Sequence, residues 1–314
     1  MKYIYIVNRF QLRNKTDDLI SRIRDASDRC GRDYEIRVNE TPEDAAGIKD
    51  DYRDTEYILT AVGGDGSINH LVNSIMGTGN ILSFIPYGTG NDFARTISRT
   101  YSSGIHDMDI VRINDRCCIN VACFGIDADI ANDEHFIHNR FIPRPLRFHA
   151  GVVDHFLSYK EGRALKIDCG GRITEKKLTS AIVANCQFYG GGYRVSPDSS
   201  PDDGIMEVFI VDKLSRPQMA KVILSMKNAG HLDHPAVTVI KADKALISSP
   251  CPVNANIDGE PLCSDRFEIE LIHKGIRLAY DEAFLSEFKA SAGKKKRRSK
   301  RKRARRAHSW SSLV

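Results

Sequence analysis

Two glycine loops hold the residue types and spacing best suited to chemistry. The first, Gly63-Gly64-Asp65-Gly66-Ser67-Ile68-Asn69, follows an apolar run and opens what reads as a helix. Backbone N–H groups converge on an anion only where no Cβ intervenes, and a helix N-terminus adds the positive end of its dipole, so the stretch reads as a phosphate cradle. The competing reading is a tight turn whose glycines supply positive φ. Asp65 favours the cradle, because a carboxylate beside phosphate is repelled unless a divalent cation or water lies between them. The second loop, Gly88-Thr89-Gly90-Asn91-Asp92, again permits close approach, offers the Thr89 hydroxyl, and places Asn91 and Asp92 to cap the next helix. Two such loops on consecutive parallel strands would face one edge of a sheet. Neither a G-x-x-x-x-G-K-[ST] loop nor the HRD and DFG set of protein kinases is present, so phosphoryl transfer needs another architecture.

The elements that position these loops follow from hydrophobic periodicity. Residues 3–8, 34–39, 57–62 and 81–86 read as strands, and 16–30, 66–76 and 91–98 as helices, the βαβα rhythm of a parallel sheet covered on both faces. From residue 108 the pattern becomes antiparallel, with hairpin turns expected at Asn114-Asp115 and Gly170-Gly171 and helical stretches at about 146–160 and 216–230. A mainly β second unit, a sandwich or barrel with helical inserts, is the expectation, with a ligand at the junction or at the strand ends of the first sheet.

At 314 residues and 41% hydrophobic content the chain can build two cores. No apolar run approaches the roughly 20 residues of a membrane-spanning helix, and no signal-peptide pattern opens the sequence, so a soluble, cytoplasmic body is expected. The eight cysteines form no C-x-x-C pair and no Cys/His ligand spacing, which argues against zinc and against a disulfide framework. The net charge of +5 conceals a division: residues 294–306 hold eleven Lys/Arg, leaving 35 basic against 41 acidic residues before them.

Four motifs in order, "GGDGSIN" (63–69), "GTGND" (88–92), "GGGYRVSPDSSPDDGIMEV" (190–208) and "IDGEPL" (257–262), resemble the diacylglycerol/sphingosine lipid-kinase family, especially its soluble bacterial members, over residues 1 to about 290. The resemblance implies a doubly wound α/β ATP-binding domain of the NAD kinase/phosphofructokinase kind over 1–107, completed by a helix at 281–290, and a β-sandwich lipid and Mg²⁺ domain over 108–280. It implies ATP contacts from Asn8, Thr41, Gly63, Gly64, Asp65, Gly66, Ser67, Ile68, Asn69, Thr89 and Asp92. It implies a structural Mg²⁺ on Asp203 with the Ser200 and Ile205 carbonyls, a hard-oxygen set suited to that ion. Asp258 corresponds to the general base that takes the lipid hydroxyl proton, and Glu260 to its acidic partner. The chain departs from the family after the first strand, where Asn-Pro-x-Ser-Gly is replaced by "NRFQLRNK"; Arg9, Arg13 or Lys15 could supply charge instead.

Residues 291–314 read as a disordered polybasic tail that, with Trp310 and Leu313, would hold the acidic body against an anionic membrane as a peripheral protein; nonspecific nucleic-acid binding is the alternative. An exposed β-domain strand could pair two copies across a two-fold axis. The expected activity is ATP- and Mg²⁺-dependent phosphorylation of diacylglycerol or a related lipid. The alternatives are a small-molecule kinase of the NAD-kinase type and a degenerate kinase body acting as a scaffold through its tail.

Overall fold

A computed structural model describes residues 1–12, 15–132, 159 and 162–291. Arg13, the basic tail and, apart from Tyr159, residues 146–160 lie outside the described residues.

The first half runs β1 (Tyr3–Asn8), a single-turn α1 (Arg9–Leu12), α2 (Thr16–Arg29), β2 (Tyr34–Asn39), α3 (Pro42–Ala46), α4 (Ile48–Asp51), β3 (Ile58–Gly63), α5 (Asp65–Ile75), β4 (Ile81–Pro86) and α6 (Asp92–Thr100). The strands pair parallel in the order β2-β1-β3-β4. β3 is buried along its whole length, the continuous apolar run expected of a parallel strand covered on both faces. Helix α5 buries Ile68, Leu71, Val72 and Ile75, one helical stripe laid on that sheet. Asn8 stands opposite Asn39 and Gly63 opposite Pro86, so the loops after β1, β3 and β4 leave from one carboxyl edge. The strand order turns back between β1 and β3, the crevice where open α/β sheets bind ligands.

The second half is β-rich: β5 (Gly104–Ile113), β6 (Arg116–Cys118), β7 (Val121–Gly125), α7 (Ile126–Ala131), β8 (Arg163–Cys169), β9 (Arg172–Ala184), β10 (Phe188–Tyr189), β11 (Tyr193–Arg194), β12 (Met206–Asp212), a helix Arg216–Ser225, β13 (Val237–Ala242), β14 (Lys244–Ile257) and β15 (Glu260–Tyr280). Both expected hairpin turns form; Asn114, Gly170 and Gly171 all take positive φ. β7 and β8 each pair with both β9 and β14, so the long strands curl around a shared core that includes Phe124, Ile167, Val183 and Phe267. The expected helix 216–230 stops at Ser225 and continues as 3₁₀ turns, with Ala229 left-handed between them.

β15 joins the two halves. It pairs with β14 and β5, and then Leu278 lies parallel to Leu82 of β4. The chain next forms a helix over 282–291, whose Phe284, Leu285 and Phe288 enter the core of the first half. Arg22 stacks 4.2 Å from the Phe288 ring and donates to its carbonyl, and Arg32 stacks 3.7 Å from Phe284 while pairing with Asp281. These guanidinium faces fix the returning helix against α2 and β1.

Candidate active site

None of Gly63, Gly64, Gly66, Gly88 or Gly90 has positive φ, so the reading of the first loop as a turn needing positive φ fails. The requirement is closeness. A Cβ on Gly88 would overlap the Gly64 Cα, and one on Gly63 would overlap Ser67, whereas one on Gly66 would meet nothing within 4 Å. The two loops therefore interlock backbone to backbone, and Gly66 faces open space.

Asp65 fastens this junction. Its carboxylate accepts from the Asp92 and Phe93 amides, both at 3.1 Å, and so caps α6 from the neighbouring loop. The expectation that Asn91 caps α6 is corrected: Asn91 is left-handed, and its side chain closes the 88–91 turn on the Gly88 N–H and carbonyl, each at 2.9 Å. Asp92 reaches the second half, accepting from the Gly191 amide at 2.6 Å and pairing with Arg95. Burial pushes its carboxyl above the usual range, with the Gly191 hydrogen bond opposing.

Asp258, held at φ 51° before Gly259 at φ 99°, is the other junction. One carboxylate oxygen accepts from Asn69 Nδ2 at 2.8 Å and the Ile119 amide at 2.7 Å. The other accepts from the Asn120 and Val121 amides, both at 3.0 Å, and from Cys118 Sγ at 3.4 Å. Four N–H donors fill the four lone-pair positions of a carboxylate. Burial pushes its pKa up and these hydrogen bonds draw it down. Asn69 and Asn73 of α5 also grip both backbone groups of Cys117, so the glycine-loop helix is bolted to the second half. Glu260, two residues on, is exposed, and its side chain makes no hydrogen bond or ion pair among the described residues.

Two cavities meet here. One of about 620 Å³ lies over the carboxyl edge of the parallel sheet and is lined by Asn8, Gln11, Gly64, Ser67, Asn69 and Arg116, among others. The second, about 370 Å³, has Asp65, Asp92 and Asp258 at one end and Ile130, Ile223 and Met226 at the other. Gly66 and Glu260 line both. Beyond the apolar end, a slot between α7, the helix Arg216–Ser225 and the sheet is lined by Ile182, Phe209, Val211, Met219 and Val222.

The remaining expected residues scatter in role. Asn8 is buried and accepts from Asn39 Nδ2 at 2.9 Å. Thr41 caps α3, accepting the Asp44 amide, and its neighbours Pro42 and Ala45 line the larger cavity. Ile68 turns its side chain into the core, and its amide bonds the Gly64 carbonyl, as does that of Ser67. The amides of Asp65 and Gly66 remain as donors at the helix start. Thr89 is exposed on its loop. Arg9 does not replace the missing loop glycine, being held by Glu40 and Asp17, while Gln11 accepts from Ser67 Oγ at 3.2 Å. Sequence reasoning missed Arg116, the permanent cation of the larger cavity, and Asp127, whose carboxyl burial pushes upward beside the apolar end. No local pattern marks either.

Ser200, Asp203 and Ile205 lie on the turn before β12, away from both cavities. Asp203 accepts from the Ile205 amide at 3.0 Å through one oxygen, and the Ser200 carbonyl has only a long 3.4 Å contact from Asp203 N. Burial, then the nearby Asp109 carboxylate, pushes the Asp203 carboxyl up. One carboxylate with main-chain oxygens in a crowded acidic setting fits a hard cation. No cluster of three or more His, Cys, Asp or Glu side chains is poised for a metal among the described residues.

Residues 2–116 match the family model described as the diacylglycerol kinase catalytic domain, and residues 120–279 match the YegS C-terminal NAD kinase beta sandwich-like domain. The diacylglycerol kinase of Bacillus subtilis (strain 168) is 25% identical over 65% of this chain and 71% of its own length. A probable lipid kinase, YegS-like, of Alcanivorax borkumensis is 25% identical over 80% of this chain and 88% of its own. The crystal structure of a diacylglycerol kinase from Bacillus anthracis str. Sterne shares the fold, with a TM-score of 0.66 at 18% identity over 90% of this chain and 98% of that one. With its two halves matched in sequence order, the chain belongs to the diacylglycerol-kinase-like lipid kinase family.

Proposed function

We propose that this protein transfers the γ-phosphoryl group of ATP to a hydroxyl of diacylglycerol or a related lipid. One observation carries the reading: a cavity at the sheet's switch point that presents Asn8, Gln11, Ser67, Asn69 and Arg116, and a second cavity with an apolar end, meet at Gly66 and Glu260, beside Asp258. ATP occupies the first, its phosphates toward the free amides at the start of α5 and toward Arg116. The lipid occupies the second, its headgroup at the acidic end and the start of an acyl chain along Ile130, Ile223 and Met226.

Most of the acceleration in such a transfer comes from alignment and charge neutralisation. The interlocked loops keep the phosphate donors rigid, and the Asp258 junction keeps α5 in register with the lipid cavity. The hydroxyl proton goes to the acidic turn 258–260. Asp258 serves as its acceptor by exchanging one donor for the hydroxyl, and the side-chain donors Asn69 and Cys118 are the ones able to release it. Mg²⁺ would be held structurally by Asp203 with the Ser200 and Ile205 carbonyls, and a divalent ion accompanying ATP would supply neutralisation of charge on the transferred group.

The experiment is a lipid panel with radiolabelled ATP and Mg²⁺, comparing diacylglycerol, monoacylglycerol, ceramide, sphingosine and phosphatidylglycerol, with NAD as control. Label entering one or more lipids supports the reading. Label entering NAD alone, or nothing at all, refutes it.

A further inference from the structure

We propose that the helix Arg216–Ser225 and the turn after it form the face by which this protein lies on an anionic phospholipid leaflet, beside the entrance to its apolar cavity. The proposal rests on the lipid-kinase reading for its purpose and on three observations for its location.

The first is charge. Between Asp212 and Asp233, residues 213–232 hold Lys213, Arg216, Lys221 and Lys227 and no Asp or Glu, in a body whose acids outnumber its bases. All four are exposed, and Lys213, Lys221 and Lys227 have no acidic partner among the described residues. The second is Leu224, 68% exposed, the most exposed large apolar side chain among the described residues. Lys221 and Lys227 stand three positions to either side of it, one helical turn each way. The third is continuity with the cavity. Met219 and Val222 bury the inner face of this helix, and Ile223 and Met226, flanking Leu224 and Ser225, line the cavity assigned to the lipid.

A helix with its inner face already buried has no folding reason to present a leucine to water. A leucine with a lysine one turn to either side matches a leaflet in two ways: the cations meet lipid phosphates while the apolar side chain enters the acyl boundary. A nucleic acid would satisfy the cations and leave the leucine wet. Placed on the leaflet, this helix sets the cavity mouth at the depth where a lipid's acyl chains already lie, so the substrate need not cross water. The surface belongs to the folded body.

The test uses the full chain and the triple variant Lys221→Gln, Leu224→Ser, Lys227→Gln. None of these residues lines either cavity. Hydrogen exchange is followed on vesicles of phosphatidylglycerol with phosphatidylcholine, on pure phosphatidylcholine vesicles, and with a DNA duplex. Turnover is measured on long-chain diacylglycerol in the anionic vesicles and on short-chain, water-dispersed diacylglycerol. Amides of 216–228 should be protected by the anionic vesicles alone. The variant should lose that protection and at least about thirtyfold of its vesicle turnover, roughly fivefold for each of the two cations before the leucine is counted, with short-chain turnover within twofold. Unchanged vesicle turnover, protection confined to other segments, or equal protection by the duplex would overturn the proposal. Absence of turnover in the wild-type protein on both substrates would refute the kinase reading instead, and the exchange data would still decide the docking face.

Discussion

Replacing Asp258 by asparagine should destabilise the fold as well as the chemistry, and the size of the effect follows from its hydrogen bonds. The substitution keeps the shape of the side chain but turns one acceptor oxygen into a donor. Facing one way, the new NH₂ meets Asn69 Nδ2 and the Ile119 amide, which the carboxylate holds at 2.8 and 2.7 Å. Facing the other way it meets the Asn120 and Val121 amides, both at 3.0 Å from the carboxylate. Two buried donors lose their acceptor in either orientation, at roughly 1–3 kcal/mol each. Removing a charge whose burial is itself unfavourable offsets part of this. A loss of about 2–5 kcal/mol is therefore expected from urea denaturation followed by circular dichroism. Glu260→Gln, at an exposed and unpartnered position, should stay within about 0.5 kcal/mol of the parent. A change below about 1 kcal/mol for Asp258→Asn would refute the view that this carboxylate holds segment 118–121 and α5 together. The same comparison guards the kinetics, because only activity lost in protein shown to remain folded at the assay temperature bears on the proton acceptor.

The two glycine loops separate space from conformation. Gly88→Ala should lower thermal stability by about 1–3 kcal/mol, because its Cβ collides with backbone at Gly64; a melting temperature matching the parent would show that the loops can part freely. Gly66→Ala should leave stability unchanged or raise it by up to about 1 kcal/mol in the first turn of α5, yet raise the KM for ATP; an unchanged KM would remove Gly66 from the phosphate contact. His231 is 2% exposed, with Nε2 donating to the Val195 carbonyl at 2.8 Å and Nδ1 buried without a partner among the described residues. Burial lowers its folded-state pKa, so the unfolded chain binds the proton first as pH falls below about 6.5. Stability should then fall with pH by up to about 1.4 kcal/mol per unit from this residue alone, and melts of His231→Gln between pH 7.5 and 5 should show a correspondingly shallower slope.

Local pattern made much of the fold legible. Strands 3–8, 34–39 and 81–86 form where their periodicity places them, and the hairpins turn at Asn114-Asp115 and Gly170-Gly171, because each signal lies within a few consecutive residues. Helix 216–230 was overextended in the sequence reading, since its apolar spacing continues past Ser225 while Ala229 turns left-handed. In the site, the presence of functional types was legible and their partners were not. Asp65 reads as a metal-facing carboxylate in its own loop, yet it caps a helix 27 residues away. Thr41 reads as a nucleotide contact, yet its oxygen holds α3.

Local sequence fixes where most strands and helices form, that a glycine-rich loop opens α5, and that acidic residues gather in the 258–260 turn, because propensity, glycine freedom and charge are properties of neighbours along the chain. The three-dimensional packing alone reveals that the glycines serve the interlock of two loops, that Asp258 is saturated by donors from residues 69 and 118–121, and that two cavities, one of them running from carboxylates to an apolar end, share Gly66 and Glu260. Hydrogen-bond saturation and cavity shape depend on which distant backbones are brought within about 3 Å of one another, and no periodicity in the chain encodes that distance.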